Sequence, residues 1–418
     1  MEYIGSKNLT LLIRDAFKLI DRRLMDHGSK TSYLFCKMLE CTEKYEKFEI
    51  ADFSILATLH DIGAYKTDNL NDMLRFEVKD YLPHSIYGHL FMKYLSPFEE
   101  ESGIILYHGT DYSKLKDINY KFKEEAAMLN LAEKTVIYYT ALGDKFKPEM
   151  FQDYSGTKFS PLSLELLSKI IEKDDVLHRL TTEEYQKDMD EIIKYVIFSD
   201  EEKNKYLNML MYCMGFRSEY TVVDTVTCIE VAKEIGKYMK LKDEEQEQLY
   251  YGTLVHDMGM LSIPRSIIDA ARKLTPEEFA KMQTHVTIAE KIFNNRLDEK
   301  VSSIALAHHE RSDGSGYPKK LKESQITKLQ AILQVADTMT SLINKRSYRP
   351  SLDKEKIQMI LREELQKRKF RREVVMVVLE NYDEIIEAVG PEVNETLATH
   401  RKLQEQYVQV YKILHVKK

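Results

Sequence analysis

Apolar residues recur at intervals of three and four along most of the chain, the spacing that places them on one face of an α-helix. Three such stretches are DEEQEQLYYGTLVHDMG, TPEEFAKMQTHVTIAEKIF and ITKLQAILQVADTMTSLIN, and the second begins with residues that cap a helix start. The apolar face of each stretch carries or adjoins a polar side chain, respectively His256, His285 and Asp337. Because a buried polar group needs a partner, we expect each of these side chains to contact a ligand or another polar group.

Composition narrows the fold and the partners. Only 15 glycines and 9 prolines occur in 418 residues, which favours long helices and predicts an all-α fold. The net charge of −7 argues against a nucleic-acid polymer as the main partner. Four cysteines without CxxC spacing and the lack of a leader indicate a reduced cytoplasmic protein. Since no apolar run approaches roughly 18 residues, no membrane association is expected.

The chain contains an internal repeat. LHDIGAYKTD at 59–68 closely resembles VHDMGMLSIP at 255–264. The repeat extends further, because 24 positions separate both His84 from His108 and His285 from His309. We therefore predict two tandem helical bundles followed by a C-terminal helical tail. The predicted parts are a first domain at 1–180, a helical linker at 181–205, a second domain at 206–390 and a C-terminal helix at 391–418.

The second copy contains the side chains of a metal site. Imidazole and carboxylate together suit iron, manganese or zinc, and so many ligands exceed the needs of one tetrahedral ion, which indicates two metals. A carboxylate such as that of Asp257 can bridge two ions about 3.5 to 4 Å apart. The candidate ligands are Asp224, His256, Asp257, His285, His308, His309 and Asp337.

The turn after the two adjacent histidines adds candidate substrate contacts. Arg311, Asp313 and Tyr317 are predicted to lie around the site. Gly314 and Gly316 would allow the backbone to approach a ligand closely.

Taken together, these motifs resemble a known family. VHDMGMLSIP, LTPEEFAKMQTHV, HHERSDGSGYP and QVADTMTSLINKRSYR are similar to the successive motifs of the HD-GYP phosphodiesterases, over about residues 201–390. The resemblance implies an HD-type helical bundle with two divalent ions, iron or manganese, that hydrolyses cyclic di-GMP or cyclic GMP-AMP by metal-hydroxide attack. It implies catalytic roles for Asp257 and Arg311. Adding the turn residues, the substrate contacts would be Arg311, Asp313, Gly316, Tyr317, Arg346 and Tyr348.

Two departures from the family pattern bear on activity. Asp224 stands where the family usually has its first histidine, and Met260 stands where it normally has lysine. Loss of that cation removes a phosphate contact worth about 1 to 3 kcal/mol. Slow turnover or an altered substrate would follow.

The first copy is similar to the broader HD superfamily through DHGSKTSYL and LHDIGAYKTD. The repeat spacing places Tyr107 opposite His308, and a phenol is a poor ligand near neutral pH. We therefore expect one metal or none here, and a degenerate, regulatory copy. The candidate ligands of this second site are His27, His60, Asp61, His84, His108 and Glu133.

Two alternatives stay open at this point. One is a catalytically weak protein that senses a nucleotide or acts as a scaffold. The other is a phosphohydrolase that uses the N-terminal site. The sequence also leaves a homodimer open.

Overall fold

The computed structural model describes residues 3–67, 82–215, 219–344 and 351–416. Over these ranges the chain consists of α-helices, short 3-10 turns and loops, and no β-strand forms. The predicted all-α fold is confirmed. Within the same ranges, every helix is too short or too polar to cross a membrane.

The helices belong to two compact units. The N-terminal unit contains residues 20–206 and 403–418, and the C-terminal unit contains residues 1–19 and 207–402. The sequence had suggested that residues 1–19 belong to the first domain, but they pack within the C-terminal unit. There Asp15 accepts a hydrogen bond from Arg296 at 2.5 Å. In the same way, the chain beyond 403 packs in the N-terminal unit, where the rings of Tyr407 and Tyr87 lie 6.2 Å apart.

The first half of the chain contributes helices of very different lengths. In chain order they are α1 (Ser6–Ile20), α2 (Arg22–Thr42), α3 (Lys47–Thr58), α4 (Ala64–Thr67), α5 (Leu82–Leu95), α6 (Gly103–Tyr107), α7 (Tyr112–Leu115), α8 (Lys123–Leu142), α9 (Pro161–Asp174), α10 (Val176–Thr181) and α11 (Tyr185–Ile192).

The second half of the chain also contains helices of very different lengths. Its helices are α12 (Asp200–Met214), α13 (Glu219–Tyr238), α14 (Asp243–Val255), α15 (Arg265–Ile268), α16 (Pro276–Phe293), α17 (Glu299–Leu306), α18 (Lys328–Ile343), α19 (Lys354–Gln366), α20 (Arg372–Glu380) and α21 (Tyr382–Val416).

Side-chain caps fix where the site-bearing helices begin. Thr275 accepts a hydrogen bond from the backbone of Glu278 at the start of α16, and the Glu278 carboxylate accepts one from the Thr275 backbone. The same reciprocal pair, Thr327 and Gln330, starts α18. These caps satisfy N–H groups that a helix leaves unpaired, and the cap predicted at Thr275 is confirmed.

The repeat is visible as one close backbone contact in each unit. A Cβ atom on Gly63 would lie 2.0 Å from the carbonyl oxygen of His84, and one on Gly259 would lie 1.9 Å from that of His285. Only glycine allows this approach. The glycine after each His-Asp pair therefore holds the helix of the next histidine against it.

The C-terminal unit contains a hydrophobic core. Val231 and Ile235 of α13 and Leu333 and Ala336 of α18 are fully buried in one hydrophobic cluster. Close packing of these buried side chains keeps the helices from shifting. The polar side chains at the edges of the helices are therefore held in fixed positions.

Candidate metal centres

Four predicted ligands of the C-terminal unit meet at the ends of its helices. His256 and Asp257 follow α14, His285 lies in α16, and His308 follows α17. The Asp257 carboxylate lies between them. Its Oδ2 is 3.4 Å from Nε2 of His256, and its Oδ1 is 3.6 Å from Nε2 of His285 and 3.7 Å from Nε2 of His308.

Backbone contacts set the tautomers of these histidines. Nδ1 of His256, His285 and His308 lies 2.6, 2.7 and 2.6 Å from a carbonyl oxygen three residues earlier. Because a carbonyl oxygen can only accept, each Nδ1 carries the proton and each Nε2 presents a lone pair. The three rings thus point their metal-binding atoms inward.

Two of these lone pairs face each other. Nε2 of His285 lies 3.1 Å from Nε2 of His308, and both side chains are almost completely buried. Burial lowers the pKa of both rings, and the neighbouring His256 lowers that of His308 further. Two neutral rings with facing lone pairs repel each other unless a cation lies against both. The donor set therefore fits a divalent metal ion.

Three further ligands extend the site toward solvent. Nδ1 of His309 lies 3.5 Å from Oδ2 of Asp337, and Asp224 accepts a hydrogen bond from Asn344 at 2.8 Å. Burial and the adjacent His308 lower the pKa of His309, which keeps it in the neutral, ligating form. The structure thus brings all seven predicted ligands of this copy to one region, enough donors for two ions.

The site opens into a cavity of about 730 Å³. Asp224, Asp257, His309 and Asp337 line it, together with Met260. A volume in this range suits a small-molecule ligand. The ligand cluster therefore forms part of the wall of a substrate-sized cavity.

Arg311 and Tyr317, two of the predicted substrate contacts, lie at the cavity wall. Both line the cavity. The Arg311 guanidinium donates to the carbonyl oxygens of His308 and Glu310 at 3.0 and 2.7 Å, and it lies over the Phe370 ring at 5.0 Å. These contacts fix its orientation. The Tyr317 ring lies 4.7 Å from that of His309.

Two predicted contacts have structural roles instead. Asp313 is exposed, does not line the cavity, and accepts a hydrogen bond from the Ser315 backbone at 2.8 Å. Gly316 also lies outside the lining, because its backbone packs against the chain, where a Cβ would be 2.4 Å from the nitrogen of Arg311. The close approach is thus to the protein itself. Arg346 and Tyr348 lie outside the described residues.

Sequence reasoning missed some residues of the site. Arg272 and Lys273 line the cavity from the loop before α16, and Asn344 holds Asp224 from the end of α18. Glu310 is buried and accepts hydrogen bonds from the backbones of Lys319 and Leu321 at 2.6 and 2.8 Å, which closes the turn. The adjacent basic pair just before a capped helix was the one local signal available.

Comparison with known proteins identifies the domain that carries this site. Residues 208–373 match the HD domain family. The chain is 25% identical to the 3'3'-cGAMP-specific phosphodiesterase 1 of Vibrio cholerae over 88% of its length and 91% of that protein. It is 32% identical to a cyclic di-GMP phosphodiesterase of Thermotoga maritima over 35% of this chain and 42% of the other.

The chain thus carries an HD domain and is similar to cyclic dinucleotide phosphodiesterases of the HD-GYP type. The crystal structure of a cyclic GMP-AMP-specific phosphodiesterase of V. cholerae shares the fold, with a TM-score of 0.58 at 15% identity over 91% of this chain and 98% of the other. In this chain, the His-Asp pair and the GYP turn described above lie at one site. The HD domain match begins at residue 208, so it covers none of residues 20–206 of the N-terminal unit, which carries a second cluster.

The N-terminal unit brings its own six candidate ligands together. Oδ2 of Asp61 is 3.9 Å from Nε2 of His27 and 3.4 Å from that of His60, and its Oδ1 is 3.6 Å from that of His84. Nε2 of His108 lies 3.6 Å from Oε2 of Glu133. The members form three overlapping groups that could each hold a metal ion.

This cluster is buried and only partly satisfied. Nε2 of His27 and His60, both Asp61 oxygens and Oε2 of Glu133 make no hydrogen bond within the described parts of the chain. Burial lowers the pKa of His60 to about 4 and raises that of Asp61 to about 6, and it raises the pKa of Glu133 still more strongly above its usual range. Buried polar atoms without partners are costly, so this donor set also fits a metal ion.

The structure corrects one step of the alignment between the copies. Nδ1 of His108 lies 2.6 Å from the carbonyl oxygen three residues earlier, the same contact that His308 makes. The ring of His108 also lies near those of both His60 and His84. His108 therefore corresponds to His308, not to His309, and Tyr107 does not take a ligand position. The first copy has Gly109 where the second has His309.

Proposed function

We propose that this protein hydrolyses a cyclic dinucleotide, cyclic GMP-AMP or cyclic di-GMP, at the metal centre of its C-terminal unit. The observation that carries the proposal is the 3.1 Å approach of the His285 and His308 Nε2 atoms beside Asp257, in the wall of a cavity of about 730 Å³. The substrates named for the V. cholerae and T. maritima relatives support the choice of a cyclic dinucleotide.

The donor set divides into two groups. His285, His308 and His309 lie close enough together to hold one ion with Oδ1 of Asp257. His256, Oδ2 of Asp257, Asp337 and Asp224 would hold the second, with Asp257 between the two. Mixed imidazole and carboxylate donors suit iron or manganese, and we propose two such divalent ions.

The protein side chains position the substrate around these ions. When bound, such ions lower the pKa of a water molecule and offset the negative charge that develops on a reacting phosphate. The positive Arg311 guanidinium, held by two carbonyl oxygens at the cavity wall, would contact a phosphate oxygen of the substrate. Tyr317 offers a ring face to a base. Lys273 supplies positive charge in a cavity where Met260 replaces the usual lysine.

Metal content and product identification test the proposal together. Protein purified without oxygen should contain iron or manganese and convert cyclic GMP-AMP or cyclic di-GMP to a linear product. The His308→Ala variant should lose both metal and hydrolysis, because His308 contacts both His285 and Asp257. The exposed His178 provides a matched control, since His178→Ala should change neither. Full hydrolysis by metal-free protein would overturn the proposal.

The buried cluster supports a second candidate function. We propose that the N-terminal unit also binds a metal ion, held by His27, His60, Asp61, His84, His108 and Glu133. All six side chains are at most 7% exposed, and closed sites of this kind are typical of structural metals, whereas catalytic sites keep an open position. The cluster would then stabilise its unit without acting on a substrate. The metal content of a His60→Ala variant, which should fall while hydrolysis persists, tests this.

A further inference from the structure

A second cavity lies in the N-terminal unit, away from its metal cluster. It has a volume of about 380 Å³, within the range of small-molecule sites. We call it the acidic-aromatic cavity; its lining consists of four acids, two lysines, six aromatic residues and one proline, namely Glu49, Asp52, Glu101, Glu202, Lys44, Lys121, Tyr45, Phe53, Phe98, Phe122, Phe198, Tyr206 and Pro97. None of the candidate metal ligands is among them.

The cavity has more negative charge than its own cations balance. Its four carboxylates are only partly exposed, and none of them forms an ion pair within the described residues. Both of its lysines pair with acids outside the lining, Lys44 with Glu125 at 2.7 Å and Lys121 with Glu100 at 3.6 Å. The lining therefore holds four carboxylates against two lysines that are already paired with other acids.

Asp52 shows this imbalance most clearly. Burial, followed by the nearby Glu202, Glu101 and Glu49, raises the pKa of Asp52 to about 7. Its carboxylate makes no hydrogen bond within the part of the chain that the structure describes. The ionised form of a half-buried acid among other acids is stabilised by a nearby positive charge.

Aromatic rings form the rest of the wall. The Tyr206 and Phe198 rings lie 4.7 Å apart, and Phe53 lies 5.1 Å from Tyr45 and 5.9 Å from Phe122. Tyr206 is 1% exposed and lines the cavity, so an almost fully buried aromatic side chain forms part of its wall.

The rings already attract ammonium groups at this position. The Nζ atoms of Lys44 and Lys121 lie 4.7 and 4.6 Å from the ring centroids of Tyr45 and Phe122. Cations are drawn to aromatic faces by the charge distribution of the ring. An ammonium group of a ligand would meet the same attraction deeper in the cavity.

The arrangement of the acids selects an organic cation over a metal ion. Among the described residues, no three of these carboxylates offer oxygens within 4.8 Å of one another, as the metal clusters do. Separated carboxylates with apolar rings between them match a molecule with separated ammonium groups on an apolar chain. We propose that the acidic-aromatic cavity binds an aliphatic diamine or triamine. This inference is independent of the proposed hydrolysis.

Calorimetric titration of the full-length protein with spermidine tests the proposal. We expect saturable binding of one spermidine per chain. Asp52→Asn and Glu101→Gln should each weaken it by about tenfold or more, since each removes one charge-assisted contact. Tyr206→Phe keeps the ring and should weaken binding less. The matched control is Glu99→Gln, which removes an exposed carboxylate outside the lining and close in sequence to Glu101, and should leave binding unchanged.

Thermal unfolding provides a second readout that does not depend on tight binding. Spermidine should raise the melting temperature of the wild type and of Glu99→Gln, but not that of Asp52→Asn. Without ligand, Asp52→Asn should melt at or above the wild-type temperature, because it removes repulsion between acids. Equal spermidine binding by wild type and Asp52→Asn, no binding at all, or displacement by magnesium more readily than by sodium chloride of equal ionic strength would each overturn the proposal.

Discussion

The two ligand clusters have the same residue types and local contacts but differ in exposure. In the C-terminal unit, the side chains of Asp257, His309 and Asp337 are 19%, 22% and 20% exposed and line a large cavity. In the N-terminal unit, no ligand is more than 7% exposed. Hydrolysis needs an open coordination position and room for a substrate, whereas a structural metal needs neither. A shared motif can therefore support two different uses of a metal.

The difference comes from a few positions. His309 and the GYP turn line the C-terminal cavity, and the N-terminal unit has Gly109 in place of His309. Conversely, Glu133 is fully buried beside His108, while its counterpart Asp337 faces the cavity. A carboxylate side chain that is one methylene longer and the loss of one imidazole are therefore enough to change which cluster a substrate can reach.

The largest expected effect comes from exchanging the central carboxylate in each cluster. Asp257→Asn should lower cyclic dinucleotide hydrolysis by more than about 100-fold, since even residues that only support metal ligands are worth 10- to 100-fold. Asp61→Asn in the N-terminal unit should leave the rate within about twofold. Steady-state rates measure both, and Asp313→Asn, at an exposed acid outside the cavity, is the control. If both substitutions lowered the hydrolysis rate equally, the proposed difference in function between the two clusters would be contradicted.

Chelation should separate the clusters by stability. We expect removal of metal to lower the free energy of unfolding of the N-terminal unit by about 4 kcal/mol, the value for a ligand at about 1,000 times its Kd. Differential scanning calorimetry with and without a chelator measures this change. His60→Ala should abolish the response of the N-terminal unit's unfolding transition, whereas His178→Ala should keep it. A wild-type protein that melts identically with and without chelator would contradict a structural metal.

Restoring a cation to the open cavity should increase activity. Met260 lines the cavity, so Met260→Lys should raise kcat/KM by about 5- to 100-fold through a new charge-assisted phosphate contact. Met359→Lys adds the same charge at an exposed position and should have no effect. Unchanged kcat/KM in Met260→Lys, measured with cyclic GMP-AMP and cyclic di-GMP, would show that Lys273 or Arg272 already supplies that charge.

The smallest effect concerns an acid of the N-terminal unit that lies outside the metal cluster. The pKa of Asp52 is raised to about 7 in the folded protein from 3.8. The folded state therefore holds this proton more tightly, and its contribution to stability is lost as pH rises from about 4 to about 7. Allowing for solvent screening, Asp52→Asn should raise the free energy of unfolding by about 1 kcal/mol at pH 8 relative to pH 4. Denaturant titrations at both pH values, with Glu100→Gln as control, would detect an opposite or absent trend.

Local signals predicted which side chains come together, because each candidate ligand lies in a short motif on a helix or just after one. Within the C-terminal unit, the His-Asp pair, the adjacent histidines and Asp337 lie close together. The equal 24-residue spacings gave a wrong counterpart for His108, because a difference of one residue in loop length shifts its counterpart from His308 to His309. The correct counterpart is revealed only by the contacts between the Nδ1 atoms of the histidines and backbone carbonyl oxygens.

Packing over long sequence distances could not be predicted. Residues 1–19 pack with 207–402 because of contacts such as that between Asp15 and Arg296, which no local pattern encodes. For the same reason, the turn around Gly316 was interpreted as a ligand contact, whereas its glycine makes room for the backbone of Arg311. The acidic-aromatic cavity likewise combines residues from distant segments.

The most direct test is X-ray diffraction from crystals of metal-loaded protein at the iron and manganese absorption edges. The account predicts anomalous scattering in contact with Nε2 of both His285 and His308 and with the Asp257 carboxylate. It also predicts a separate peak enclosed by His60, His108 and Glu133. An active protein whose His285 and His308 rings meet with no anomalous peak between them and Asp257 would contradict the central claim.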